Sequence, residues 1–316
     1  MSAASTEAGS WPSLPYPAWQ ETYRTLHLRT QVVGKVRLAL TPWLNHSWQV
    51  PLYLSSRGLT TGVIYHQDGP LDLEFDFASS VLRVRTPERE GDLPLEKGSV
   101  AEFYRRLMDL LEALGRPVRI HAFPNELPEA VAFDLDRAHR AYSPDQALQF
   151  FAVLSLADRV LKRFRTAFLG KASPTHFFWG SFDLAVTRFS GRRAPPHPGG
   201  VPHLPDAIVR EAYSHEVSSA GFWPGGEARP EAVFYSYAYP EPPGFRDAQV
   251  QSSGAGYDPA MGEFVLPYDA LRRLPDPEAA LLDFLQTTYA AAADLAHWDR
   301  AALDCGLGEP GQPRKV

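Results

Sequence analysis

The sequence has little cysteine, no excess of positive charge and no long apolar run. Its single cysteine, Cys305, excludes an intrachain disulfide and a Cys-rich metal site. The 31 Lys and Arg against 37 Asp and Glu give a formal net charge of -6, and nothing resembles the basic patch of a nucleic-acid binder. No apolar run approaches the roughly 18 residues that a membrane span needs. We therefore expect neither a nucleic-acid partner nor a membrane partner.

Targeting and catalytic motifs are missing as well. Residues 1–10 have neither the basic stretch nor the apolar stretch of a secretory signal, so we expect a cytoplasmic protein. The chain lacks a Gly-x-Ser-x-Gly elbow, a phosphate-binding Walker loop and a complete dinucleotide fingerprint. These absences argue against common hydrolases, P-loop enzymes and Rossmann enzymes. The sequence names no cofactor and leaves the oligomeric state open.

Proline and glycine are abundant, at 29 and 23 residues. They concentrate in residues 195–205, 224–230 and 240–244, and such clusters mark long loops. Long loops inside a compact domain are often functional. The loop that contains His197 is therefore a candidate lid over a pocket, and a packed surface loop is the alternative.

Two segments of the chain repeat one order of residues, which predicts an internal duplication. The first copy has Gly34, Lys35, Pro42, His46 and Trp48, and the second has Gly170, Lys171, Pro174, His176 and Trp179. We expect two related halves, residues 1–142 and 143–316, packed as one unit. Each half would contain a helix, several antiparallel strands and a second helix, which gives an α+β fold. The second half would also carry the Pro/Gly-rich loop insertions.

The first helix has an alternative interpretation, because residues 26–40 also fit the period of a strand. The internal duplication favours a helix over 15–34 that ends at Gly34, because its partner segment, 144–170, has a helical stripe. A strand would then begin at Val36. Ser99 and Glu102 form a capping box that begins a further helix. The remaining expected elements are strands over 49–55, 59–66, 71–77, 81–86, 118–122, 176–189, 208–218, 231–239 and 262–266, and helices over 99–114 and 276–298.

Four strings in the second half carry a family resemblance. They are HFFWGSFDLAVTRFSGRRAPPHPGG (176–200), YSHEVSS (213–219), FWPGG (222–226) and FYSYAYPEPPGF (234–245). Through them the chain resembles the bacterial domain-of-unknown-function family DUF5996, from about Trp11 to Arg300. The resemblance implies no activity and no catalytic residues, so the function has to be argued from the residues.

Histidines on predicted strands are the candidate acid–base groups, since imidazole titrates near neutral pH. His176 or His215 would fill this role, and Glu216 or Asp183 would be the orienting carboxylate. Adjacent strand residues point to opposite faces, so His215 and Glu216 cannot both face one pocket. Convergence of His46, His176 and His215 on a metal ion stays open, because the spacing does not require it. A hydrogen-bonded structural role for each histidine is the alternative.

Aromatic side chains provide the candidate ligand-binding wall. Tyr235 and Tyr237 share one face of a predicted strand. The other candidate binding residues are His46 and Trp48 of the first half, Trp179, Trp223, His197, and Arg192, whose guanidinium suits a carboxylate or phosphate. Plain packing of the aromatics and a solvated Arg192 are the alternatives.

Two functions follow. The leading hypothesis is a small-molecule enzyme, or enzyme-like protein, with a His/aromatic pocket in the C-terminal half. The alternative is a non-catalytic ligand-binding or interaction protein in which the same histidines are structural. A catalyst needs a histidine with a carboxylate partner inside a water-limited pocket, whereas a binder needs only the wall.

Overall fold

The computed structural model describes residues 11–314, and its first element is a long helix, α1 (Tyr16–Leu40). Every residue from Thr25 to Val36 is buried. A helix buried on all sides has no solvent-exposed polar stripe, so its hydrophobic pattern fits a strand period as well as a helical one. The predicted helix is confirmed, but its predicted end is wrong: Gly34 lies inside α1, and no strand begins at Val36. Residues 1–10, for which no signal peptide is expected, lie outside the described residues.

The first half continues with short antiparallel strands and a second helix. The strands are β1 (Tyr53–Leu54), β2 (Gly58–Thr60), β3 (Ile64–His66), β4 (Gly69–Asp76), β5 (Val81–Arg85) and β6 (Glu90–Pro94). They pair in the order β1-β2-β4-β5-β6, with β3 also on β4. Arg85 bonds Glu74 of the neighbouring strand, and such opposite-charge pairs stabilise a sheet. The helix α2 (Val100–Ala113) begins at the predicted capping box of Ser99 and Glu102.

The second half begins with α3 (Pro144–Arg165) and contains the larger sheet. Its further elements are β7 (His176–Phe178), β8 (Asp183–Arg193), α4 (Asp206–Ala212), β9 (His215–Trp223), β10 (Val233–Tyr239), β11 (Gly256–Asp258), β12 (Glu263–Pro267), α5 (Tyr268–Leu271), α6 (Pro277–Leu295) and α7 (Arg300–Leu303). The antiparallel order is β7-β8-β9-β10-β12-β11. One face of this sheet packs on α3 and α6.

Five predicted strands differ from the structure. The strand expected over 49–55 is only the short β1, and the strand expected over 59–66 is two strands, β2 and β3. The strand expected over 176–189 is two strands, because the chain turns between them and Phe182 has a φ of 62°. The strand expected over 208–218 is α4 followed by β9. Residues 118–122 are partly exposed and pair with no strand of the described chain.

The fold is α+β, and both halves contribute to one hydrophobic core. Leu52 and Phe177 join the two sheets through reciprocal backbone hydrogen bonds of 2.9 Å. Trp19 of α1 packs on Phe150 of α3, with ring centroids 5.0 Å apart. Each half runs in the order helix, antiparallel strands, helix. The duplication and the boundary at residue 142 stay predictions.

Candidate functional site

A cavity of about 310 Å³ lies between the two halves, on the free face of the larger sheet. Alternate residues of β8, β9 and β10 form its floor, because successive side chains of a strand point to opposite faces. These floor residues are Asp183, Ala185, Thr187, Phe189, Val217, Ser219, Tyr235 and Tyr237. The walls include Trp43, Trp48, Phe178 and Trp179. The first half therefore supplies part of a cavity that the leading hypothesis places in the C-terminal half, with His46 and Trp48 as its candidates from the first half.

A second cavity of about 680 Å³ adjoins the first. The two share six lining residues: Glu126, Ser181, Asp183, Tyr213, Tyr235 and Tyr237. The second cavity adds His197, Trp223 and Glu263. A volume of several hundred Å³ suits a small organic molecule.

The proline- and glycine-rich loop and α4 cover the first cavity. Val201 and Leu204 of the loop line it, as do Ile208 and Val209 of α4. Both backbone and side chain hold α4 to the first half: the carboxylate of Glu211 accepts the His46 backbone N–H at 3.0 Å, and His46 Nδ1 donates to the Ala212 carbonyl at 2.8 Å. The loop therefore has the position expected of a lid.

His46 is neutral at this junction. Because its Nδ1 carries the proton given to Ala212, its Nε2 accepts from the Lys171 ammonium at 2.8 Å. Burial, more than the nearby Lys171 charge, lowers the pKa of His46. The Lys171 ammonium also lies 5.0 Å from the Trp48 ring centroid. This pair fixes the Trp48 side of the cavity rather than presenting a cation to it.

Trp179 forms a rigid wall between α1 and the cavity. Its indole Nε1 donates to the Val50 carbonyl at 2.8 Å. The ring lies directly against Gly34, where a Cβ would overlap it. Gly34 therefore serves close packing between helix and indole, and not the ending of α1.

Asp183 is the most buried acid of the floor, at 7% exposure. Its carboxylate accepts hydrogen bonds from the Ser181 and Tyr235 hydroxyls. Tyr235 reaches it across β9 at Gly221, where a Cβ would collide with the tyrosine hydroxyl. Burial raises the pKa of Asp183, and burial with the Asp183 charge raises the pKa of Tyr235 well above its ordinary value, so Tyr235 keeps its proton.

Two further tyrosines continue this hydrogen-bonded floor. The Tyr213 and Tyr237 hydroxyls are 2.7 Å apart, and the Thr187 and Ser219 hydroxyls are 2.9 Å apart. Burial raises the pKa of Tyr213 to about 12, so it is protonated at neutral pH. The floor thus offers neutral hydroxyls around one buried carboxylate.

Glu126 enters the cavity from the irregular segment between the halves. Its backbone has a φ of 64°, in the left-handed region, where non-glycine residues are uncommon. Its carboxylate lies against Gly180, where a Cβ would overlap it. Burial, reinforced by the charge of Asp183, raises the pKa of Glu126 to about 7. The same causes raise the pKa of Glu263, in the second cavity, to about 8.

A buried polar column on α1 holds the Glu126 segment in place. His27 Nε2 donates to the Gly180 carbonyl at 2.8 Å. Gln31 exchanges two hydrogen bonds with the Asn125 backbone, at 2.8 and 2.9 Å. The Lys35 ammonium donates to the Asn125 side chain, and burial lowers its pKa to about 8. These three residues recur at four-residue steps, so one helix face positions Glu126.

The structure brings eight of the predicted site residues to the two cavities. His46, Trp48, Trp179, Asp183, Tyr235 and Tyr237 line the first, and His197 and Trp223 line the second. His176, His215, Glu216 and Arg192 line neither. The proposed pairing of a catalytic histidine with Glu216 or Asp183 therefore has no geometric basis at these cavities.

His176 is packed behind the wall, at 1% exposure. It contacts the rings of Trp48, Tyr53 and Phe178 at centroid distances of 5.4–5.7 Å. Neither ring nitrogen has a hydrogen-bond partner within the described chain. Burial, with smaller contributions from Arg37 and Arg165, lowers its pKa to about 3. His176 is thus a neutral packing residue, although without the hydrogen bond expected of a structural histidine.

The other three residues lie where β8 ends and β9 begins, and all three are at least partly exposed. Arg192 donates to Glu216 at 2.7 Å and to the Ala296 carbonyl at the end of α6, at 2.6 Å. His215 stacks edge-on against His46, with centroids 5.6 Å apart. Residues 11–314 contain no group of three His, Cys, Asp or Glu side chains placed to hold a metal ion, so His46, His176 and His215 do not converge.

Glu126, Glu263, Tyr213 and Ser181 are site residues that the sequence reasoning missed. Glu126 lies in residues 115–143, where no periodic pattern points to a face, and Ser181 lies in a turn read as a strand. Glu263 had a usable signal, because it lies in the strand expected over 262–266, which pairs with β10 in the structure.

The fold is α+β, and a partly enclosed cavity lies between the two halves of the chain. The family model described as "Family of unknown function (DUF5996)" matches residues 11–305, and the chain belongs to this family. Searches of the curated proteins and of the solved structures found no match. Among residues 11–314, no helix has both the length and the apolarity to cross a membrane.

Proposed function

We propose that the protein is a small-molecule enzyme that transfers a proton at the floor of the first cavity, with Glu126 as the acid–base group. The observation that carries this proposal is the combination of position and pKa at Glu126. A general acid or base works best when its pKa is near the working pH, and that of Glu126 is raised to about 7. The role that the sequence assigns to His176 or His215 passes to this carboxylate.

The surroundings of Glu126 support the proposal. Its strained backbone is held from three sides, by α1 through Asn125, by Gly180 and by the Pro202 carbonyl, which accepts its N–H at 2.9 Å. Strain of this kind persists where neighbouring structure fixes it, and it clusters at functional sites. Tyr235 and Tyr237 remain protonated nearby. The Tyr235 proton is given to Asp183, so its hydroxyl oxygen can accept a hydrogen bond from a bound molecule.

A non-catalytic ligand-binding protein is the second candidate, favoured by the aromatic walls and by the absence of the predicted histidines from the cavities. It would need the same walls but no titrating carboxylate. The two candidates therefore differ in what removal of the Glu126 charge does.

Mass spectrometry of the protein incubated with mixtures of small organic metabolites, grouped by chemical class, tests the proposal. We expect one class to be consumed by the wild-type protein and by Glu129→Gln, an exposed control three residues away, but not by Glu126→Gln. Equal turnover by Glu126→Gln would remove the acid–base role. Binding without turnover by every variant would favour the ligand-binding candidate.

A further inference from the structure

The charged side chains that line the two cavities are all acidic. They are the carboxylates Glu126, Asp183, Glu241 and Glu263, and none of the described lining residues is Lys or Arg. Glu241 is compensated, because Arg246 donates to it at 2.6 Å. The other three acids have no cation among the groups that shift their pKa.

The walls add aromatic faces to these carboxylates. Trp43, Trp48 and Trp179 line the first cavity, and Tyr235 and Tyr237 stack at 6.2 Å on the floor shared with the second. The face of an aromatic ring is negative and attracts a cation, most strongly where water is excluded. Uncompensated carboxylates and aromatic faces in one cavity favour the same sign of ligand charge.

Two lysines lie outside these walls and do not alter the sign. The Lys35 ammonium is bound to Asn125 and lies 5.8 Å from the Trp179 centroid, and the Lys171 ammonium is bound to His46. Both ammonium groups are engaged, and neither lysine lines a cavity. Their positive charges would disfavour a cationic ligand only near the outer wall of the first cavity, so we place the cationic group at the floor.

We propose that the two cavities bind an organic cation, an ammonium group on an apolar or aromatic body, with the ammonium between Glu126 and Asp183 and the body against the tryptophans. This proposal rests on the small-molecule site of the proposed function and specifies its ligand. A primary ammonium has three donors, which match carboxylate and tyrosine oxygens as acceptors. A metal ion is a poorer fit, since no described group of three ligands converges.

Three probes with one indole body and different end groups test the charge. Tryptamine ends in an ammonium, tryptophol in a hydroxyl and indole-3-acetate in a carboxylate. Titration calorimetry of the full chain at pH 8.5 should show tryptamine binding at least about tenfold more tightly than tryptophol, with no binding of indole-3-acetate. Glu126→Gln should weaken tryptamine by about tenfold and leave tryptophol within about twofold, while Glu129→Gln should change neither.

The outcomes separate this proposal from the proposed function. Equal or tighter binding of tryptophol or indole-3-acetate would overturn the cation proposal but leave the small-molecule site. Loss of both tryptamine and tryptophol binding in Glu126→Gln would also overturn it, because the residue would then shape the cavity rather than recognise charge. Binding of none of the three would overturn it too, and the metabolite turnover experiment would still decide the enzyme proposal on its own.

Discussion

The Trp179 indole occupies the space that a side chain at Gly34 would need. Gly34→Ala should therefore destabilise the protein by about 1–3 kcal/mol through overpacking, although alanine favours the helix by up to about 1 kcal/mol. Urea unfolding measures the change. Gly256→Ala is the control, because a Cβ there has no neighbour within 4 Å. Unchanged stability of Gly34→Ala would show that the indole moves freely, and the rigid wall would be wrong.

The hydrogen bond from Tyr235 to Asp183 should contribute to stability. Tyr235→Phe removes one of the two side-chain hydroxyls that Asp183 accepts from, so it should cost about 1–3 kcal/mol. Tyr239→Phe, on the same strand, removes a partly exposed bond to the Pro195 carbonyl and should cost less. Urea unfolding at pH 8, where Asp183 needs the donor, distinguishes them. Equal losses would mean that Asp183 does not depend on Tyr235.

The raised pKa of Glu126 should make folding less stable as pH rises. Its folded pKa of about 7 lies above the ordinary value of 4.5, so between these values the folded state holds a proton that the unfolded state has lost. The stability from this proton is full below about pH 4.5 and is lost as pH rises through 7. The free energy of unfolding of Glu126→Gln, relative to that of the wild type, should therefore rise by on the order of 1–3 kcal/mol between pH 4.5 and 8.

Thermal midpoints of both proteins across this pH range provide the measurement. Glu263, Asp183 and the rest of the chain titrate in both, so only the difference between the two curves reports Glu126. Glu129→Gln should follow the wild type. A constant difference from pH 4.5 to 8 would contradict a perturbed Glu126.

His176 should have the opposite dependence on pH. Its folded pKa of about 3 lies below the ordinary value of 6.5, so the unfolded chain binds a proton that the folded state refuses. Stability is then lost as pH falls from about 6.5 towards 3. The free energy of unfolding should therefore fall by about 2 kcal/mol less in His176→Phe than in the wild type when the pH is lowered from 7.5 to 5.

The difference between the two pH values cancels any constant packing cost of the larger ring. The same substitution at the exposed His121 should leave the pH dependence unchanged. Ligand binding should survive in His176→Phe, since this residue lines neither cavity. Loss of binding with normal stability would return His176 to the site.

Local signals in the sequence predicted much of the fold. The Ser99 and Glu102 capping box and the strands β4 and β5 follow from neighbours in sequence. The helix α1 was instead predicted through its match to the distant segment 144–170. The interior role of Gly34 depends on Trp179, which is remote in the chain, so no local pattern contained it.

Part of the lining of the cavities was predicted from the sequence, but the candidate acid–base group was not. Alternation on β10 identified Tyr235 and Tyr237, and proline and glycine identified the covering loop. The histidines were chosen because the ordinary pKa of imidazole is near neutral, but burial lowers the pKa of His176 far below that value. Glu126 gains its pKa from the folded surroundings, which an irregular segment does not reveal.

Residues 115–143, all of which the structure describes, contain no helix or strand, yet they form part of the cavity. Asn125 is bonded to α1 on one side and to the His203 carbonyl of the covering loop on the other. A change of length near residue 125 would therefore shift an ionisable group, Glu126, relative to both halves. What connects the halves in sequence is a spacer of fixed length, and gain or loss of residues there should be far more damaging than in the loops around it.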